Sequence, residues 1–316
     1  MITRRTIGLC CVLAAAITIC TAHAQEPPRI RVITYNVQFL PGIAASSNER
    51  PEPEYRATRI AEECSGYDIV ALQETFELRH RAAIKDAVKA AWGGALNFIE
   101  SPDEKGRVTN GGCLLMTRMP IVAQDAIVYK NFSSPKDFGF RADGFAAKGA
   151  IWARIARSME VKDDYVDVFV THLEARADEL RPLQYAELAA FIQAKADPKK
   201  PVLILGDLNT AGMAAERAKQ DSQYSVMMKA FGDARGDSGM ADVWVSLMGD
   251  ALGGTTDQES TEIGKRIDYI LLGNSKDGAA QLVPRSIEVK TYQDPKVVAL
   301  SDHNAVVAEF TWPSKP

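Results

Sequence analysis

The sequence predicts an α/β protein. Segments with the two-residue alternation of strands take turns with segments of helical three-and-four spacing along the whole chain. No repeat, low-complexity tract or linker divides them, so one continuous domain is expected. A third observation says where such a fold would work. Polar side chains stand where strands end: Asn36, Glu74, His172, Asp207, Asn209, Asp268 and the pair Asp302–His303. In open α/β sheets, ligands collect where strand ends meet loops.

Taken in order, RIRVITYNV (Arg29–Val37) alternates as a strand, and a helix follows with Ala57, Ile60, Ala61 and Cys64 at i, i+3, i+4 and i+7. DIVALQE is the next strand. It leads to a helix whose apolar stripe is read as Phe76, Ala83, Ile84, Ala87, Val88 and Ala91. His80 lies on that helix between Arg79 and Arg81 and is expected to be solvated. CLLMTR, IVAQDAIVY, AIWARI and YVDVFVTHL read as successive strands, and a helix from Pro182 to Lys195 carries Tyr185, Leu188, Ala189 and Ile192. In VLILGDLNT (Val202–Thr210) the apolar run into Gly206 reads as a fully buried strand closed by that glycine, with Asp207 and Asn209 at its end. Asp207 and Asn209 stand two apart and so point the same way. A helix near Gln223–Phe231 and the strands RIDYILL, SIEVKTY and AVVAEFTW complete the chain. FSSPKDFGFRADGF and LGGTTDQESTEIGK read as surface loops. The first of these gathers Phe132, Phe138, Phe140 and Phe145, either a lipid-contacting surface or core.

Composition bounds the function. MITRR is a basic n-region, Ile7 to Ile19 an apolar h-region, and TAHAQ offers an Ala-x-Ala site ending at Ala24. Residues 1–24 are therefore expected to be a signal peptide, and residues 25–316 one catalytic domain, exported to the periplasm or secreted. An uncleaved anchor is the alternative, although the apolar stretch is short for spanning a bilayer. The full chain has 37 basic and 41 acidic residues, net −4, and losing Arg4 and Arg5 takes it to −6. A mildly acidic chain argues against a dedicated nucleic-acid binder without excluding a nuclease, because the local field matters more than net charge. Beyond the leader only Cys64 and Cys113 remain, which permits either one disulfide or two buried thiols. No Cys/His group has zinc spacing.

The strand-end residues form a reagent list. Glu74, Asp207, Asp302, Asn36 and Asn209 offer hard oxygens, suited to magnesium or manganese. His172 and His303 can carry protons or donate hydrogen bonds, and Asp268 can hold a histidine in one tautomer. Bland readings stand beside these. Asn36 would cap a turn, Glu74 would stabilise a helix N-terminus, His172 would be a core histidine, and Asp268 would pair with Arg266 or Lys265. An oxygen-bound cation beside a histidine base is equipment for hydrolysing a phosphate ester.

TYNVQ, LQET, NGGCLLMTRMPI, THLEA, GDLNT, RIDYI and SDHN, in this order, resemble the endonuclease/exonuclease/phosphatase superfamily related to DNase I. The resemblance spans roughly Arg31 to Phe310. Within the superfamily, NGGCLLMTRMPI, AAKGAIWARI and THLEARADELRPLQYAELAAFI look most like the secreted neutral sphingomyelinases. The resemblance implies a four-layer sandwich, two mixed β-sheets packed face to face with helices outside. It implies that Glu74 is the principal magnesium ligand, helped by Asn36 with Asp302 on the metal side, and that manganese or cobalt substitutes. His303 would be the general base, Asp268 its orienting partner, and Asp207 would position the nucleophile. Asn209 and His172 would donate to the phosphate, and Asn110 and Lys148 would contact the phosphate or head group. The implied substrate is a phospholipid at a membrane surface, sphingomyelin first, with no stable protein partner evident. Two alternatives stay open: a secreted DNase-type nuclease acting on nucleic acid with the same site, and a catalytically silent binding module. AVV follows SDHN where sphingomyelinases often have an aromatic and then Pro-Val.

Overall fold

The computed structural model describes residues 28–42, 50–139, 142–256, 264–278 and 281–313. The signal peptide read at residues 1–24 lies outside them, as does Phe140. Among the described residues no helix is long and apolar enough to cross a membrane. The main elements in chain order are β1 (Arg29–Phe39), α1 (Pro53–Cys64), β2 (Ile69–Thr75), α2 (Leu78–Ala91), β3 (Asn97–Glu100), β4 (Leu114–Thr117), β5 (Ile121–Val128), β6 (Gly149–Ala156), β7 (Tyr165–His172), α3 (Arg181–Lys195), β8 (Val202–Asp207), α4 (Gln223–Ala234), β9 (Ala241–Asp242), α5 (Val243–Met248), β10 (Asp268–Gly273), β11 (Val283–Lys290) and β12 (Ala305–Thr311).

They build two six-stranded mixed sheets, ordered β11-β12-β1-β2-β4-β3 and β9-β10-β8-β7-β6-β5. One parallel pair sits inside each, β1 with β2 and β7 with β8. Because neighbouring side chains on a strand face opposite ways, each central strand serves two interfaces. Val32 packs between the sheets and Ile33 against the helices; Leu203 and Leu205 do the first on β8, and Val202 and Ile204 the second. Three apolar layers result. The middle one joins the sheets, one seats α1 and α2 on the first sheet, and one seats α3 and α4 on the second. This is the four-layer sandwich expected above.

Three details differ from the sequence reading. In α2 the buried face is His80, Arg81, Ile84 and Val88, while Ala83, Ala87 and Ala91 are exposed. Alanine has too little apolar area to hold a helix face inward when longer side chains compete for it. His80 is 3% exposed and its ring lies 5.0 Å from that of Phe39, so it is not a solvated residue. Edge strand β3 and the pair β9–α5 went unread, being four, two and six residues long; the Asp242 carboxylate caps α5 by accepting from Trp244 N and Val245 N. Of the two cysteine readings left open, the structure has the second: Cys64 and Cys113 are free buried thiols in different apolar layers and form no disulfide.

Gly206 is required where β8 reaches the site. Its φ is +147°, and a Cβ there would meet the Thr171 backbone oxygen at 2.0 Å. Gly206→Ala should therefore destabilise the protein by about 3 kcal/mol or more, the sum of backbone strain and forced separation of β7 and β8. Chemical denaturation checks this; a change under 1 kcal/mol would mean the strands part easily.

Candidate active site

Three of the expected residues are neighbours across one sheet. Asp207 at the end of β8 is in register with His172 on β7 and with Asp268 on β10, so adjacent strands about 4.8 Å apart bring them into one row. The other sheet contributes Asn36 and Glu74 from the ends of β1 and β2. Asn36 Nδ2 donates to Asp207 Oδ2 at 3.1 Å, a bond between the two sheets at the centre of the site. Backbone conformation aims these ends: Gln38, Glu74 and Asn209 all have positive φ, at 51°, 56° and 48°. Such conformations cost non-glycine residues about 1 kcal/mol or more each and cluster where function demands them. The β1–β2 register slips between Asn36 and Phe39, beside Gln38. Arg56, fully buried beneath this corner, donates to Val37 O, Gln38 O and Leu300 O and so ties the end of β1 to the segment before Ser301.

His303 stands at the centre of the polar side chains. Its Nδ1 lies 2.9 Å from Asp268 Oδ2, and its Nε2 is 3.7 Å from Asp207 Oδ2. Burial opposes a charged imidazole here, but the carboxylates of Asp268 and Asp207 overcome it and hold the His303 pKa well above its usual value. Arg266, the alternative partner for Asp268, pairs instead with Asp242 at 2.8 Å. Ser301 fixes the approach: its Oγ donates to Asn36 O at 2.6 Å and accepts from His303 N at 3.2 Å.

Glu74 and Asp302 form the second part of the site. Glu74 is the next-to-last residue of β2 and does not open the following helix. Burial raises its pKa to about 7, with the Asp302 charge adding to the effect. Asp207 is raised to about 6, by burial first and by Asp268 second. Gln38 Nε2 donates to Asp302 Oδ2 at 2.7 Å. Several carboxylates thus crowd a partly dehydrated space made of oxygen donors, and a hard divalent cation fits that donor set. Asp207, Asp268 and His303 also bring three donor atoms within 4.8 Å of one another. The short Asp268–His303 hydrogen bond gives that group a second use, as a proton relay.

Lys148 forms the third part. Its buried ammonium donates to Asp143 Oδ2 at 2.7 Å and Leu173 O at 2.9 Å, and lies 3.2 Å from His172 Nε2. Burial and then the Lys148 charge push the His172 pKa well below its usual value, so the ring is neutral. With Nε2 facing an ammonium, the ring hydrogen belongs on Nδ1, a buried atom without a hydrogen-bond partner. Asn209 Nδ2 donates to Leu173 O at 3.0 Å and its backbone N to Asp207 Oδ1 at 2.9 Å. Asn110 is in register with Ala147, next to Lys148, and its Oδ1 accepts from Arg81 Nη2 at 2.9 Å and Gly112 N at 3.0 Å.

Glu74, His172, Lys148 and Asp302 line a cavity of about 900 Å³ together with apolar Leu40, Phe76, Val108 and Phe145 and the exposed cation of Arg176. Gln38, Ser301 and Asp143 belong to the site and were not singled out in the sequence. Gln38 and Ser301 sit inside or beside the quoted motifs TYNVQ and SDHN, whereas nothing marks Asp143 except its place in a loop rich in phenylalanine.

The crowded carboxylates set a pH dependence. Between pH 7 and 8, folded Glu74 and His303 hold protons that the unfolded chain has lost, whereas His172 and His80, both lowered, are neutral in either state. Unfolding therefore releases protons, and cation-free protein should lose stability as pH rises, on the order of 1 kcal/mol per pH unit. Thermal melts in EDTA at pH 7.0, 7.5 and 8.0 check this, and a rising Tm would contradict it. Saturating magnesium should flatten the trend.

The Endonuclease/Exonuclease/phosphatase family model matches residues 33–303, and the chain belongs to that family. No sequence among curated proteins matches it significantly. Among solved structures, sphingomyelinase C from Streptomyces griseocarneus is 20% identical, with a TM-score of 0.61 over 89% of this chain and 99% of that one. A mutant beta toxin from Staphylococcus aureus, with bound magnesium ions, is 18% identical with a TM-score of 0.65, over 91% of this chain and 100% of that one. D. rerio TDP2 complexed with single-strand DNA product is 15% identical with a TM-score of 0.58, over 89% of this chain and 98% of that one. At these identities the likeness is one of fold.

Proposed function

We propose that this member of the endonuclease/exonuclease/phosphatase family is an exported phosphoric diester hydrolase that needs a hard divalent cation. In this reading it cleaves a phospholipid head-group ester, sphingomyelin to ceramide and phosphocholine, with residues 1–24 as the export signal. One observation carries the reading: a histidine held at Nδ1 by Asp268 and faced at Nε2 by Asp207, beside the Glu74–Asp302 oxygen cluster.

Glu74, Asn36 and Asp302 would hold the cation, which supplies positive charge to offset the phosphate and its transition state. With a cation held by the neighbouring carboxylates, their pull on the imidazole would weaken and His303 would give up the extra proton it holds in the cation-free protein. It then takes the proton from the attacking water as the new P–O bond forms, and Asp268 keeps its ring in the tautomer that leaves Nε2 facing the water. Asp207, anchored by Asn36 Nδ2 and Asn209 N, positions that water. His172, Asn209 and Lys148 would donate to the phosphate oxygens, which requires Lys148 to release His172 Nε2 so that the imidazole can carry its hydrogen there. Asn110 would act on the head group only through the loop that its side chain secures. Attack breaks the P–O bond to ceramide, whose oxygen gains a proton as phosphocholine leaves.

Support for a lipid comes from the cavity. Leu40, Phe76, Val108 and Phe145 share its lining with Glu74, Val108 is 73% exposed, and Phe138 is 37% exposed at the end of the short helix Pro135–Phe138. Apolar rim residues add membrane affinity in proportion to the area they bury. A nuclease would draw on cations around the site, because phosphate contacts dominate nucleic-acid affinity, and Lys148 and Arg176 in this cavity are the ones that reading would use. The test is purified protein with magnesium, given sphingomyelin vesicles and plasmid DNA in parallel. Phosphocholine release is expected, reduced more by Phe138→Ser than is hydrolysis of a short soluble phosphodiester. Plasmid cleavage without phosphocholine would move the assignment to the nuclease branch.

A further inference from the structure

Beside the catalytic cavity lies a second one of about 780 Å³, and Val108 and Phe145 line both. Its wall carries Lys105, Arg107 and Lys130 against the single carboxylate of Glu104. On a chain of net charge −4 this is a local reversal of sign. Lys105 and Lys130 are exposed and make no ion pair among the described residues. Arg107 is half-buried; its guanidinium lies 3.3 Å from the Phe132 ring centroid and donates to Gly144 O.

The cavity is built in advance. Fully buried Glu174 accepts from Ser133 N and Oγ, and Glu187 accepts from Lys130 N and Asn131 N, so the backbone between them is held at both ends. Gly144 allows the close approach: a Cβ there would meet Ser133 O at 2.2 Å and Phe132 Cδ2 at 2.6 Å. The result is an apolar floor under a cationic rim, opening at exposed Val108 toward the catalytic mouth.

We propose that this side cavity binds the phosphate of an anionic phospholipid and thereby docks the catalytic mouth on an anionic membrane surface. Charge complementarity selects the occupant, and the apolar floor beside the cations matches a head group that continues into an acyl body. The proposal deepens the phospholipid reading and rests on it for the direction in which the membrane lies.

The experiment is vesicle flotation in EDTA, where no turnover is needed, with phosphatidylcholine vesicles with and without phosphatidylglycerol. Wild type should float with the anionic vesicles. Lys105→Glu/Lys130→Glu should lower that partitioning by at least ~20-fold, since each cation near an anionic surface contributes about fivefold and reversal adds repulsion. Binding to neutral vesicles and hydrolysis of a short soluble phosphodiester should be unchanged, and Lys105→Arg/Lys130→Arg should behave as wild type. Retained flotation of the charge-reversed protein overturns the proposal, and so does equal loss on neutral vesicles. Loss of plasmid retention with vesicle binding intact overturns it in favour of nucleic acid. Saturable binding of inorganic phosphate with no flotation overturns it in favour of a free anion. Because binding is read without turnover, intact flotation with no phosphocholine release would fail the catalytic reading alone.

Discussion

His303→Ala lowers kcat for phosphodiester hydrolysis by at least ~10²-fold with the fold intact, because general-base help is worth that much or more. The geometry makes the expectation specific. His303 is the one described imidazole bonded to a buried carboxylate at one nitrogen and facing a second carboxylate at the other. Asp268→Asn should also lower kcat, since an amide can offer the Nδ1 atom a donor and so stabilise the wrong tautomer. The double variant should lose little more than His303→Ala alone, because the two side chains act as one unit. Steady-state kinetics beside a thermal melt decide the matter. Near-wild-type kcat in either single variant, with folding confirmed, removes the assigned pair.

Glu74→Gln should raise the magnesium concentration needed for half-maximal turnover by at least ~10-fold, because losing even a partner of a metal ligand commonly costs that much affinity. It should also stabilise the cation-free protein near neutral pH. Burial and Asp302 disfavour the Glu74 carboxylate, and the amide removes that penalty. The two effects have opposite signs, which separates a ligand role from a structural one. A purely structural Glu74 would lower stability with or without magnesium and leave the magnesium requirement unchanged.

Much of this site was legible because strand ends carry their chemistry in short local motifs. Asp207 and Asn209 read as one unit from their spacing, although strand alternation is not what joins them. β8 ends at Asp207, Asn209 turns to φ 48°, and its backbone N donates to Asp207 Oδ1, while the sheet register sets His172 and Asp268 beside Asp207. The buried strands were legible for a related reason: β8 is apolar on both faces and matched no other element type. What escaped reading depends on contacts across the chain. His80 looked solvated between two arginines, yet tertiary packing places it against Phe39. Arg56 stands beside the apolar stripe of α1 and nothing in the local pattern marks it, yet backbone carbonyls from distant segments accept from its guanidinium. Asp143 reaches Lys148 from a loop without periodicity, so no pattern announced it. The bonds that Asn110 Oδ1 accepts from Arg81 and Gly112 N also escaped reading, since Arg81 comes from a different element.

The most direct measurement is phosphocholine release from sphingomyelin vesicles by protein stripped exhaustively with EDTA, followed by stepwise addition of magnesium or manganese. Glu74, Asn36 and Asp302 present oxygen donors in a crowded acidic space, and such a site takes a hard cation or works poorly. The account predicts no release after stripping, full return with either metal, and no return for His303→Ala at any metal concentration. Full activity after exhaustive chelation would contradict it.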